Sequence, residues 1–463
     1  MPRPPHARPA TTGPSRPSNP TAAAPPLVAS IPASPVAESA ARPASMDVTG
    51  QIQAMARRAR RAATVLAGVS GLVRRSALQG IAEGLRAAQE ALLAANAADL
   101  KQARADNLSP ALLARLALDD TKIEAMAHSV EEIAGQVDPV GQTIAAYDRP
   151  NGLRIEKRRV PIGVIAIIYE SRPNVTSDAA ALCLKSGNAC ILRGGKEALR
   201  SNLAVADVIR EALQSSGLDP GTVQLVETTD HAAVGALVTA QGLVDLVIPR
   251  GGEALIQAVV RQASVPVIKH YKGVCHVYID KDVDPDMAVN VAYSAKVDGC
   301  AVCNTAECIL VHTAIAPQVL PRLAARYRQA KVQMRADARS LGLLQDAQLA
   351  RDSDWGREFL DLIVAIKQVT SLDEALAHIA HYGSGHTDAI ITTNLAAANK
   401  FVQQVDSSSV MVNASTRWAD GYEYGLGAEI GISTDKLHAR GPMGAADLCT
   451  YKYIVTGQGH IRA

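Results

Sequence analysis

The sequence predicts an α/β protein, a doubly wound parallel sheet followed by a second α/β unit, and three observations predict it. Short apolar runs alternate with helical stretches between Val164 and Ile268. The same alternation restarts near Val274 and continues to Val412. Two of the apolar runs end in glycine pairs that lead into helices, at Gly194-Gly195 and Gly251-Gly252. Apolar runs separated by helices are the pattern of strands buried on both faces.

The elements follow in order. Residues 1–46 are rich in Pro, Ala, Ser and Arg with Glu38 as the only acidic residue. They lack the apolar centre of a secretory signal, so a disordered tail is expected, with Met46 as a candidate start. From Asp47 to Val137, Ala, Leu and Ile recur at three- and four-residue spacing, which predicts helices that cover a later sheet. Leu153–Val160 alternates charged and apolar residues as a half-exposed strand would. The first series then reads as strands near 164–169, 189–192, 222–226 and 243–248. Helices are expected near 175–185, 197–214, 232–240 and 253–262, before a short apolar run at 265–268. The second series places strands near 277–279, 308–311, 363–366, 389–392 and 410–412. Thr450–Thr456 has strong strand composition at the end of the sequence, where strands often pair with a neighbouring subunit.

Composition excludes several functions. The formal net charge of +2 on 463 residues offers no basic field for nucleic acid or an anionic membrane. Two Phe and two Trp leave little for base stacking. No apolar run reaches the roughly 18 residues of a membrane-spanning helix. Seven cysteines at irregular spacing do not make a disulfide framework and suit a reducing cytoplasm. Cys300 and Cys303 form one Cys-x-x-Cys pair, but no second pair or spaced histidines accompany it, so no metal site is expected. A redox pair is the alternative.

The chemistry-bearing candidates lie at strand ends and in one loop. Arg193, Gly194, Gly195 and Lys196 follow one strand; Pro249, Arg250, Gly251 and Gly252 close another. Glycines there admit a phosphate to a helix N-terminus, and the cations suit a 2′-phosphate. Plain strand-to-helix turns are the competing reading, since the sequence after these strands lacks G-x-G-x-x-G. Cys303 lies between a helix ending near Lys296 and a strand near Cys308, where a nucleophile can be presented. Cys183, Cys190 and Cys308 sit in apolar runs and read as packing residues. Cys275 and His276 are sequence neighbours, but on a strand they face opposite ways and should not touch.

The stretch from Val160 through Asn202, PIGVIAIIYESRPNVTSDAAALCLKSGNACILRGGKEALRSN after its leading Val, resembles the γ-glutamyl phosphate reductase family of the aldehyde-dehydrogenase superfamily. So do IPRGG at 248–252, GVCHVYID at 273–280, CNTAE at 303–307, VDSSSVMVNASTR at 405–417 and GLGAEIGISTDKLHARGPMG at 425–444. The resemblance covers nearly everything after about residue 50. It implies a three-part plan: an NADP-binding domain from 47–137 and 163–272, a catalytic domain at 273–436, and an oligomerisation element from 138–162 and 437–463.

It also implies an activity, the NADPH-dependent reduction of L-glutamyl 5-phosphate to glutamate 5-semialdehyde in proline biosynthesis, with Cys303 as nucleophile. Asn174 is the implied oxyanion donor beside the Cys303 backbone; capping the following helix is its alternative role. Glu358 corresponds to the glutamate that holds the nicotinamide ribose, with a surface glutamate as the alternative. Arg172, Arg417 and Arg440 are candidate partners of the substrate's anionic groups, and Asn413, Ser415 and Thr416 of its amino-acid end. The segment 267–273 carries no carboxylate, where oxidising relatives keep a general base; a reductase gains from that, because a poised water would hydrolyse its intermediate. Gly299-Cys300-Ala301-Val302 departs from the Arg-Pro-Ser-Thr type of sequence usual before the nucleophile, and Cys300 becomes a candidate for an inactivating disulfide with Cys303. The implied partners are the small-molecule substrate, other copies of the chain as a homo-oligomer, and a glutamate kinase that would hand over the labile acyl phosphate. An acylating dehydrogenase acting on acyl-CoA and a non-catalytic binding protein are the competing readings of the whole.

Overall fold

The computed structural model describes residues 47–269 and 271–462, so the expected tail and Met46 lie outside the described residues. The first apolar series forms a parallel four-stranded sheet in the order Val223–Leu225, Ala189–Arg193, Val164–Tyr169, Leu246–Arg250. Every residue of Val164–Tyr169 is buried, which is why its run is apolar without alternation. In chain order the strands lie 3-2-1-4, so winding reverses between Val164–Tyr169 and Leu246–Arg250. A crevice opens beyond the carboxyl ends of strands at such a reversal. The apolar run 265–268 adds only a bridge, Val267 beside Val247.

The leading helices cover both faces of this sheet. Val48–Leu66, capped by the Asp47 carboxylate on the Gly50 N–H, packs on one face through Ile52, Ala56 and Ala59. Gly71–Ala87 and Asp120–Gly135 cover the other through Leu78, Ile81, Ile123 and Val130. Ile430, Met443 and Leu448, far along the chain, join that second core.

The second series forms a seven-stranded parallel sheet. Its order is Gln348–Leu349, Gln333–Ala336, Ile363–Val369, Ala306–His312, Cys275–Ile279, Thr387–Ile391, Ser409–Val412. The third body is a three-stranded antiparallel sheet of Thr143–Asp148, Arg154–Pro161 and Cys449–Thr456. Cys449–Thr456 pairs along its whole length with Arg154–Pro161 of its own chain, and among the described residues its other edge carries no strand. Thr143–Asp148 and Gln333–Ala336 were not expected; both are short and mixed in polarity, so neither period nor composition marks them.

Candidate active site

A cavity of about 730 Å³ lies where the carboxyl ends of the first sheet meet the amino ends of the second. From the first sheet come the turns after the two strands at the winding reversal, Glu170–Arg172 and Arg250–Glu253. From the second come segments that precede its strands: Tyr271 and Lys272, Ala301–Asn304, and Gly356–Glu358. Cys303, Arg172, Arg250, Gly251, Gly252, Glu358 and Arg417, scattered over some 250 positions of sequence, therefore line one space.

The Cys303 loop is pinned at several points. Thr305 Oγ1 donates to the Gly299 carbonyl at 2.6 Å, and Asn304 Nδ2 to the Ala419 carbonyl at 2.9 Å. Arg417 Nε donates to the Asp298 carbonyl at 2.5 Å. At the stem, Lys296 Nζ meets Glu307 Oε2 at 2.6 Å with both side chains buried. Beneath the loop, Cys275 Sγ donates to the Cys303 carbonyl at 3.2 Å. Gly273 abuts the same carbonyl so closely that an added Cβ would lie 1.8 Å from it, so only glycine fits. His276 points the other way, with Nδ1 3.0 Å from Asp388 Oδ1, as strand alternation requires.

Charge is distributed unevenly around the cavity. Burial, with Arg250 and Arg115 nearby, lowers the affinity of the Arg172 guanidinium for its proton. Glu358 is held by the Gly273 N–H on Oε1 at 2.9 Å, and burial raises its pKa. Burial likewise raises Glu429, against the pull of Arg250, whose Nη2 is 3.7 Å from Glu429 Oε1. Neither Glu429 nor Arg115 stood out in sequence. Arg115 rides on a seven-residue helix, Pro110–Leu116, with no motif; Glu429 lies in the GLGAEIGISTDK stretch, which was the available signal.

The remaining expected residues are placed as follows. Gly194 and Gly195 leave their strand as expected, but the space their missing side chains provide is filled from within the chain. A Cβ at Gly194 would meet Asn202 Nδ2 at 2.1 Å, and one at Gly195 would meet Glu197 Oε1 at 2.1 Å. Arg193 is nearly buried, with Nη1 on the Gly194 carbonyl, while Lys196 is exposed. Pro249 sits in the strand before Arg250. The Gly252 N–H at the start of the helix Glu253–Gln262 is taken by Glu170 Oε2 at 3.0 Å. Asn174 opens the helix Asn174–Lys185, whose cap position is Pro173. Its amide donates to Asp178 Oδ2 at 3.0 Å, so it does not cap the helix, and it is not among the residues that line the cavity.

The substrate candidates divide. Arg172 and Arg417 line the cavity. Asn413 follows the carboxyl end of its strand, whereas Cys303 precedes the amino end of a strand in that sheet; parallel strands set the two ends apart. The Asn413 amide closes on Thr392, accepting from its N–H and donating to its carbonyl, both at 2.9 Å. Ser415 caps the turn Thr416–Trp418, and Thr416 is buried. Arg440 spends its fork on Asp406, Nη1 on Oδ1 and Nη2 on the carbonyl, each at 2.7 Å.

Among the described residues one group has metal-ligand side chains: His276, Cys308 and His378, whose ligand atoms lie within 4.8 Å of one another. Lys367 Nζ stands 3.3 Å from His378 Nδ1. Burial lowers His378 to about 3 and raises the Cys308 thiol, so these groups pack as neutral side chains beside an amine.

A doubly wound sheet facing a second parallel sheet, with a loop cysteine and a glutamate at the junction, defines a class. The chain belongs to the aldehyde dehydrogenase family, whose profile matches residues 33–354. Within it, the chain is similar to γ-glutamyl phosphate reductase of Thermotoga maritima, with 43% identity over 89% of this chain and 100% of that one and a TM-score of 0.87. It is also similar to γ-glutamyl phosphate reductase of Saccharomyces cerevisiae, with 31% identity over 90% of this chain and 100% of that one and a TM-score of 0.50. An acetylating aldehyde dehydrogenase of Geobacillus thermoglucosidasius shares the fold at 18% identity, 90% and 98% coverage and a TM-score of 0.63.

Proposed function

We propose that this chain reduces L-glutamyl 5-phosphate to L-glutamate 5-semialdehyde and phosphate, with NADPH as reductant and Cys303 as nucleophile. The observation that carries the reading is Cys303 on a pinned loop in the same cavity as Glu358 and the Arg250–Gly252 turn, in a chain similar over its length to γ-glutamyl phosphate reductases.

The residues present fit a dinucleotide. The cavity reaches from the strand ends at the winding reversal to the nucleophile, the place where open α/β sheets take such ligands. Buried Arg193 keeps a buried Nε without a hydrogen-bond partner, beside exposed Lys196. The Pro249–Gly252 turn at the cavity would hold the phosphates, with the cations Arg193 and Lys196 at the neighbouring strand end, and Glu358 the nicotinamide ribose. The two cations favour a 2′-phosphate, hence NADPH. When bound, NADPH supplies hydride to the acyl carbon.

The protein's own part begins with sulfur. Cys303 Sγ attacks the acyl carbon, the C–S bond forms, the C–O bond to phosphorus breaks, and phosphate departs as a stabilised anion. Arg172 and Arg417 orient the phosphate and carboxylate of the substrate, each through a planar fork. The Cys303 backbone N–H stabilises the oxyanion, one well-placed donor contributing about 3–4 kcal/mol. After reduction, Cys303 leaves as thiolate and the aldehyde is released. Ser415 and Thr416 shape the turn that carries Arg417, while Asn413 is engaged with Thr392 and Arg440 with Asp406.

All seven cysteines are free thiols, which supports a reducing, cytoplasmic setting. No helix among the described residues is long and apolar enough to cross a membrane. The exposed Tyr451, Tyr453 and Val455 on the edge strand Cys449–Thr456 support a homo-oligomer through 138–162 and 437–463. A glutamate kinase is the proposed donor of the acyl phosphate.

The test is the reverse reaction. Phosphate-dependent reduction of NADP by glutamate 5-semialdehyde is expected with wild type and is expected to fall about a thousand-fold or more in Cys303→Ser. Undiminished turnover in that variant would end the reading.

A further inference from the structure

One carboxylate in the second sheet has no part in the chemistry above and yet touches both halves of it. Glu307 is buried in the strand Ala306–His312. Its Oε2 takes Lys296 Nζ at 2.6 Å. Lys296 ends the helix Pro285–Val297, so this pair ties together the two ends of the loop that presents Cys303. The other oxygen, Oε1, accepts from the Leu360 N–H at 3.2 Å. Leu360 belongs to the segment that carries Glu358 and has φ of 54°, a left-handed conformation that leucine adopts only under constraint. Phe359 between them lies over the Lys296 ammonium, 6.0 Å from Nζ to the ring centre.

The chain of contacts closes on itself. Glu358 accepts from the Gly273 N–H, and Gly273 abuts the Cys303 carbonyl. From the nucleophile the path therefore runs through Gly273 to Glu358, through Leu360 to Glu307, and through Lys296 back to the nucleophile loop. A buried ion pair is a weak source of stability, because desolvation offsets its attraction. Here burial holds the Glu307 carboxyl at about 7 even though Lys296 opposes the shift. An apolar pair would cost less, which leaves geometry as the reason for it.

We infer that Glu307 and Lys296 are positioning residues that lock the Cys303 loop and the Glu358 segment into one register, so that nucleophile and cofactor contact are set together. This rests on the reading of Cys303 as nucleophile and Glu358 as cofactor contact, and adds two residues to it that touch neither ligand.

Glu307→Asp tests it, because the shorter side chain keeps the charge but cannot hold Lys296 and the Leu360 N–H at once. Two quantities are read on folded protein: KM for NADP in the reverse reaction, and the rate at which iodoacetamide alkylates Cys303 without cofactor. The expected result is that both change at least five-fold in the same variant, with the melting temperature within a few degrees of wild type. Both within two-fold of wild type, or a change in only one, would overturn the inference. If Glu307→Asp does not fold, Lys296→Met with Glu307→Leu leaves no buried charge and is read by the same thresholds. Failure of the parent reading looks different: Cys303→Ser would keep turnover, whatever the Glu307 variants do.

Discussion

Cys303 owes its availability to what the other cysteines lack. Burial raises the thiols of Cys183, Cys275, Cys308 and Cys449 above their ordinary range, and Cys190 is fully buried, whereas Cys300 and Cys303 are half-exposed. Iodoacetamide followed by peptide mapping should therefore label only Cys300 and Cys303 in native protein; a label on any of the other five would contradict the packing. Among the acids, Glu358 is raised by burial, so its carboxylate is lost at higher pH than an exposed glutamate's. KM for NADP should rise as pH falls toward that range in wild type, and Glu358→Gln should show the high KM at every pH. Asp178 gives a stability counterpart. Burial lifts it to about 6, against hydrogen bonds from Asn174 and Ser129. A raised carboxyl contributes stability in full below its unfolded value, and loses it as pH rises through the folded one. Asp178→Asn should thus gain on wild type by about 1–3 kcal/mol between pH 4 and pH 8 in denaturant melts; a constant difference would refute the assignment.

At the scale of elements, function depends on how closely backbones meet. Gly273 precedes the strand Cys275–Ile279 and allows the Cys303 loop to rest directly on it. Gly273→Ala should displace Cys303 and lower kcat about a hundred-fold, since misplacement near 1 Å has effects of that order. Wild-type kcat in this variant would mean that the loop tolerates movement. The turn after Leu246–Arg250 is packed as tightly: a Cβ on Gly251 would lie 2.5 Å from Glu170 Oε2, the oxygen that accepts from Gly252. These turns were legible as glycine pairs, but not what fills them. Glu170 and Asn202 reach the glycines from another turn and a helix, Glu197 from the turn directly after Gly195, and none of these offsets carries a periodic signal.

For the whole molecule, the antiparallel sheet is the part with unspent surface. Tyr451, Tyr453 and Val455 are exposed on an eight-residue edge strand, an arrangement that natural proteins ordinarily cover. Tyr453→Arg with Tyr451→Arg should shift the mass measured by light scattering toward that of one chain; an unchanged mass would place the subunit contact elsewhere. Its effect on the reverse-reaction KM should be small, because neither tyrosine lines the catalytic cavity.

The sequence by itself determined the parallel α/β plan, because burial on both faces leaves unbroken apolar runs such as Val164–Tyr169. It singled out Cys303 as the candidate nucleophile too, through a cysteine in a loop between recognisable elements and through motifs resembling one reductase family. What only the tertiary structure decided was company. It set Arg172, Glu358, Arg417 and the Arg250–Gly252 turn around Cys303, turned Arg440 to Asp406 and Asn413 to Thr392, and brought in Arg115 and Glu429. The reason is physical: which face a residue takes follows from local periodicity, but which distant residue it meets follows from how two sheets are stacked end to end. Sequence distance does not encode that stacking.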